Sequence, residues 1–163
     1  LDDRLWPIIR RQVESALRHW RESDHGIWEI RGRPRHYTQS KVMCWVALDR
    51  GAKLAVMHGE NDYAREWSEQ AEVIKADILE HGVDERGVFT QRYGAPALDA
   101  SLLLVPLLRF LPSDDPRVRA TVLAGFVLLG HWFAMRARGG ANRSIRAVVE
   151  LARSMALVVR SVN

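Results

Sequence analysis

Through most of the first hundred residues, apolar side chains return every three or four positions, the period of helices that bury one face. From Arg4 to Arg21, the residues Leu5, Ile8, Ile9, Val13, Ala16, Leu17 and Trp20 share such a face, and Pro7 suits the first turn. A second helix is predicted from Thr38 or Ser40, either of which can cap it, to about Met57. Its apolar positions, among them Val42, Met43, Cys44, Val46, Ala47 and Leu48, are so dense that two sides must be covered, which makes it a core helix. A third helix starts at Asn61 or Asp62 and ends near Gly82, with Glu66, Glu69, Glu72 and Lys75 on its outer side. The run LDASLLLVPLLRFL, residues 98–111, is apolar nearly all round, and Pro106 should kink it or end it early.

The connections are of two kinds. HGEN is short, whereas SDHGIWEIRGRPRHY and HGVDERGVFTQRYGAPA are long, aromatic and glycine-bearing. Short and long links in alternation predict helical hairpins side by side with the long loops gathered at one end. The pieces IWEIR and GVFTQRY are short extended stretches able to pair as a small ribbon. The fold class is all-α.

Charge distribution divides the chain. Residues 1–121 carry 18 Lys and Arg against 19 Asp and Glu, while residues 122–163 carry 6 Arg against the single acid Glu150. The +4 net charge therefore comes from the tail, and the body lacks the basic, aromatic-interleaved cluster that a nucleic-acid partner needs. The tail opens with VLAGFVLLGHWFAM, whose 14 residues fall short of the roughly 20 that span a bilayer, so a membrane is not the expected partner. RSIRAVVELARSMALVVR can form a helix with Arg143, Arg146, Glu150, Arg153 and Arg160 on one stripe. The domain reading is a helical body over 1–121 and a divergent basic tail over 122–163.

The hydrophobic content of 47% is that of one globular domain. A single cysteine, Cys44, allows no internal disulfide and reads as a small core side chain. With no targeting segment in LDDRLWPIIR, a cytoplasmic location is expected. The six histidines, at 19, 25, 36, 58, 81 and 131, show no ligand-like spacing, and none of the nucleotide, zinc-protease or Cys-x-x-Cys motifs is present, so no cofactor or metal is expected.

The remaining chemistry lies in the loop that sets Trp28 beside Glu29. An indole packs against the CH face of a sugar and excludes water, and lower polarity favours the protonated form of a carboxyl, which can then donate to a glycosidic oxygen. On spacing alone the pair also fits a core Trp and a Glu bonded to Arg31 or Arg33.

DHGIWEIRGRPRHYTQSKVMCWVALDRGAKLA, followed by GVFTQRYGAPALDASLLLVPLLRFLPSDDPRVRATV, resembles the bacterial branch of glycoside hydrolase family 15, the glucoamylase and trehalase-like proteins. The resemblance covers about residues 1–122. It implies part of an (α/α) toroid of six helical hairpins with its site in the long loops, and an α-glucoside or trehalose-type sugar as substrate. It makes Glu29 the general acid and places Trp28 in the sugar-binding loop. Asp99, in the LDAS element, matches an acid that holds the sugar or orders the site; by its own sequence context it is equally a helix N-cap. Arg31 and Lys41 stand at matching positions, as sugar-side residues or structural ion-pair partners. The family's second carboxylate, the base that inverts the anomeric centre, belongs to a later element without counterpart here. Two expectations follow: an inverting glycosidase fragment that holds the acid but lacks the base, inactive alone and prone to self-association through apolar faces; and, as the rival, a non-catalytic helical sugar- or protein-binding module.

Overall fold

The computed structural model describes residues 3–136. They form α1 (Trp6–His19), α2 (Thr38–His58), α3 (Asn61–His81), a five-residue 3-10 helix (Ala100–Leu104) and α4 (Pro116–Arg136). No extended strand occurs among the described residues; isolated bridges take its place. The chain divides into two compact units, residues 1–125 and 126–163. The predicted Arg-striped helix falls outside the described residues.

Helix α2 lies between α1 and α3, which is why its apolar positions are so dense. At Gly51 the crossing is so close that a Cβ would come within 2.6 Å of Val13 Cγ2 on α1 and 3.1 Å of Trp67 Cε3 on α3. Trp6, Val13 and Trp20, spaced by seven, supply the inner stripe of α1. Trp6 takes the core position next to the start of that helix and stacks on His58 at 4.8 Å, leaving Leu5 and Ile8 exposed. From α2 come Val42, Trp45, Leu48 and Ala55, and from α3 Trp67, Ala71, Ile74 and Ile78. The segments beyond α3 join this core through Phe89 and Phe110, with Trp45 edge-on to Phe110 at 4.9 Å and Phe89 at 6.0 Å from the same ring.

Helix boundaries follow the periodicity, but the predicted caps do not form. Tyr37 and Glu60 occupy the N-cap positions of α2 and α3 without side-chain capping bonds, and Ser40 instead donates to Asp24. At the end of α3 the backbone leaves no room for a side chain, since a Cβ on Gly82 would meet Ile78 O at 2.8 Å and Thr38 Cγ2 at 2.9 Å.

The apolar run at 98–111 gives only the short 3-10 helix. Pro106 has no N–H to continue the ladder, and Arg109 turns into the left-handed region at φ 57°. Helix α4 starts earlier than the tail composition suggested. Asp115 accepts the backbone N–H of Arg117 at 2.9 Å, and Pro116 takes the first helical position. The apolar stretch read as 14 residues therefore sits within a helix of 21, long and apolar enough to cross a membrane by length and composition. Thr121, buried on α4, donates to Arg117 O at 2.7 Å and accepts the N–H of Phe89 at 3.0 Å.

Candidate active site

Two loops meet at the end of the hairpin array where α1 and α3 finish and α2 begins. The first, between α1 and α2, is closed at its base by reciprocal backbone bonds of 2.8 Å between Asp24 and Arg35. The Asp24 carboxylate then accepts the N–H of Gly26 at 2.5 Å and the hydroxyl of Ser40 at 2.8 Å, tying the loop to the first turn of α2. Gly26, at φ 69°, lies flat on the Tyr37 ring, whose nearest carbon would be 2.9 Å from any Cβ there.

The two loops do pair, though not in the predicted register. Thr38 N–H donates to Gln91 O and Tyr93 N–H to His36 O, each at 3.0 Å, so the partner of QRY is HYT. IWEIR curls into a turn, with Glu29 N–H donating to Gly26 O at 3.1 Å and Ile30 N–H to His25 O at 3.0 Å. The Asp24–Arg35 closure forces this reversal, and Glu29 takes a left-handed φ of 46° at its tip.

Pairing the loops brings Trp28 to Asp99. The indole N–H points between the two carboxylate oxygens of Asp99, 3.0 Å from each. Asp99 also accepts the N–H of Ser101 at 2.8 Å, capping the 3-10 helix, and the amide of Gln91 at 3.2 Å. The N-cap reading of Asp99 and its grouping with Trp28 thus hold together. Partial burial opposes its charge, but the hydrogen bonds from Trp28, Ser101 and Gln91 outweigh that and keep the carboxyl below its usual range. The Trp28 ring remains 60% exposed. Glu29 is exposed as well, and its carboxyl forms no ion pair or hydrogen bond among the described residues; the same holds for the guanidinium of Arg31.

Lys41 is different in kind. Only 2% exposed, it donates its ammonium protons to the carbonyls of Trp20, at 2.5 Å, and Glu22. It closes the C-terminal end of α1, where a cation meets the helix dipole and unpaired carbonyls. Burial pulls its pKa down, partly opposed by the charges of Asp24, Asp77 and Glu22. It forms no ion pair among the described residues.

Beside Lys41 opens a cleft of about 230 Å³ lined also by Arg21, His36, Asp77, His81 and Tyr93. Tyr93 donates to Asp77 Oδ2 at 2.7 Å, and burial, then this bond, pushes its phenol pKa up. His36 and His81 lie against its ring at 5.9 and 5.5 Å. His25, the other histidine beside the loop, contacts Ile30 O through Nδ1 at 3.2 Å. No group of three metal-type ligands occurs among the described residues. Cys44 is half-buried, with burial pushing its thiol pKa up.

The long loops of this helical hairpin array thus bring an exposed indole onto the Asp99 carboxylate, with the Glu29 carboxyl next to it in sequence. The chain belongs to the glycosyl hydrolases family 15, whose model matches residues 1–125. It is 72% identical over 122 residues to a trehalase of Mycobacterium tuberculosis, covering 75% of this chain and 18% of that protein. It is 65% identical over 124 residues to a trehalase of Mycolicibacterium smegmatis, covering 76% of this chain and 19% of that protein. The chain thus spans about a fifth of the length of these curated relatives. A solved glycosidase in complex with glucose superposes with a TM-score of 0.59 at 20% identity, over 67% of this chain and 29% of the other. The described hairpins are accordingly part of an (α/α) toroid.

Proposed function

We propose that the chain carries the acid half of an inverting glycosidase site, with trehalose as the substrate class that the names of its relatives support. The observation that carries this reading is Glu29, an exposed carboxyl without a partner among the described residues, next to an exposed Trp28 in the open loop of a family 15 fold. A structural carboxylate at that place would be expected to bond Arg31 or Arg33, and it does not.

In this reading a glucosyl unit lies on the Trp28 ring, and protonated Glu29 gives its proton to the glycosidic oxygen as the bond to the anomeric carbon breaks. The bonding pair leaves with that oxygen, and charge develops on the ring. A water then attacks from the opposite face, deprotonated by a second carboxylate about 6.5–9.5 Å from the acid. In this reading that base is supplied by a later element of the longer enzyme, so the chain alone should release no glucose from trehalose or maltose. Exposed Leu104, Leu107 and Met57 support self-association of the isolated chain.

The test is a chimera in which the 122 matched residues replace their counterparts in the Mycobacterium tuberculosis trehalase. It should hydrolyse trehalose, and Glu29→Gln within it should cut turnover by roughly 10²–10⁴, the scale of general acid catalysis. The loss should be smaller on a glucoside with an activated leaving group, which needs little protonation. An active chimera indifferent to Glu29→Gln would remove the acid assignment.

A further inference from the structure

We propose that Asp99 is a positioning residue, gripping the Trp28 indole by its N–H so that the ring and the adjoining Glu29 are held in one arrangement before a sugar arrives. The proposal rests on the glycosidase reading of this loop and assigns Asp99 a role other than sugar ligand. A carboxylate offers about four lone-pair sites. On Asp99, Oδ1 takes the Trp28 indole and the Ser101 N–H, and Oδ2 takes the indole and the Gln91 amide. These three donors leave a sugar hydroxyl at most one site, and only if the indole shifts onto a single oxygen.

Trp28, for its part, needs an external hold. The bonds between Asp24 and Arg35 fix the base of the loop, and those from Glu29 to Gly26 and Ile30 to His25 make its tip one rigid turn. None of these stops the tip from swinging about its base, and most of the indole surface is in water. The bond to Asp99, 71 residues away in sequence, does. Asp99 is itself fixed on two sides, by the 3-10 helix it caps and by Gln91, whose backbone carbonyl accepts from Thr38. The grip therefore ties the acid's loop to the second loop and to the start of α2.

The test uses the full chain labelled with 5-fluorotryptophan, whose six indoles give six fluorine lines. Trp28→Phe, which keeps a ring but loses the N–H, identifies the Trp28 line. Asp99→Ser keeps an oxygen able to cap Ser101 but is too short to reach the indole, separating the grip from folding of the 3-10 helix. Asp99→Ser should shift the Trp28 line and leave the other five in place. Either substitution should speed tryptic cleavage after exposed Arg31 by roughly tenfold, and the double variant should be cut no faster than the single ones. An unmoved Trp28 line in Asp99→Ser, or additive acceleration in the double variant, would overturn the proposal. Titration with glucose separates it from its premise: a response at Trp28 without any Asp99→Ser effect removes the grip alone. An Asp99→Ser effect with no response to glucose upholds the grip and counts against sugar on this ring.

Discussion

Helix α3 buries Trp67, Ile74 and Ile78 completely, whereas the loop between α1 and α2 leaves Ile27 and Trp28 at least half in water and Ile30 partly so. The helices hold their places by apolar area and close packing, distributed over many side chains. The loop holds its shape by a handful of directed hydrogen bonds, from Gly26 and Ser40 to Asp24, and from Trp28 and Gln91 to Asp99. Packing sets a platform without caring much about any single atom. A proton donor must be aimed, and only bonds with direction aim it. On the reading proposed above, the division of labour puts the chemistry in a loop held by few bonds rather than in the packed helices.

If that division is real, the largest effect should come from the helices. Trp67→Ala removes a fully buried indole between α1 and α2 and should cost about 3–5 kcal/mol, enough to abolish the cooperative thermal transition of a marginal domain. A loss below about 1 kcal/mol by denaturant titration would mean that the hairpins are not the platform. Next, Gly51→Ala pushes a methyl against Val13 and Trp67 and should cost about 1–3 kcal/mol, with the loop left intact. A rise in tryptic cleavage after Arg31 at temperatures where the helices persist would show instead that the two regions are coupled.

The smallest effect belongs to the loop and is a matter of pH. Because the folded Asp99 carboxyl lies below its usual range, its bonds contribute stability that is fully present above the unfolded value of about 3.9 and fades as pH falls through the folded one. Between pH 5 and the acid limit, the Trp28 fluorine line should therefore move while helical circular dichroism is still intact, and Asp99→Ser should abolish that movement. Loss of the helices before the line moves would place the weak point in the platform.

The helical part was legible because a three-to-four-residue period states which face is covered. Helices α1, α2 and α3 fall within about two residues of where that period puts them. Their caps were less legible, since a Ser or Thr near a helix start also serves whatever neighbour the fold brings close, as Ser40 serves Asp24. The ribbon was misread because alternation in IWEIR cannot show that a bridge from Asp24 to Arg35 will double the segment back. The helix around the apolar stretch went unpredicted although the signal was there: Asp115 before Pro116 is an N-cap followed by the residue best suited to the first helical position.

At the site, residue types alone made Trp28 and Glu29 a candidate pair, and the family resemblance supplied Asp99, Arg31 and Lys41. Gln91 was missed because its only distinction is a partner eight residues on, reached by a turn the sequence does not announce. The partners of Lys41 were not legible in sequence, for they are backbone carbonyls, which every residue has.

Glu29 stands at a φ of 46°, a backbone shape that costs an L-residue roughly 1 kcal/mol and costs glycine little. Selection for heat resistance and selection for chemistry therefore pull this codon in opposite directions. A laboratory population screened only for surviving heat would tolerate glycine at that position, losing the proton donor that the proposed reading places there. Only a screen that also demands work from the molecule keeps a carboxyl there.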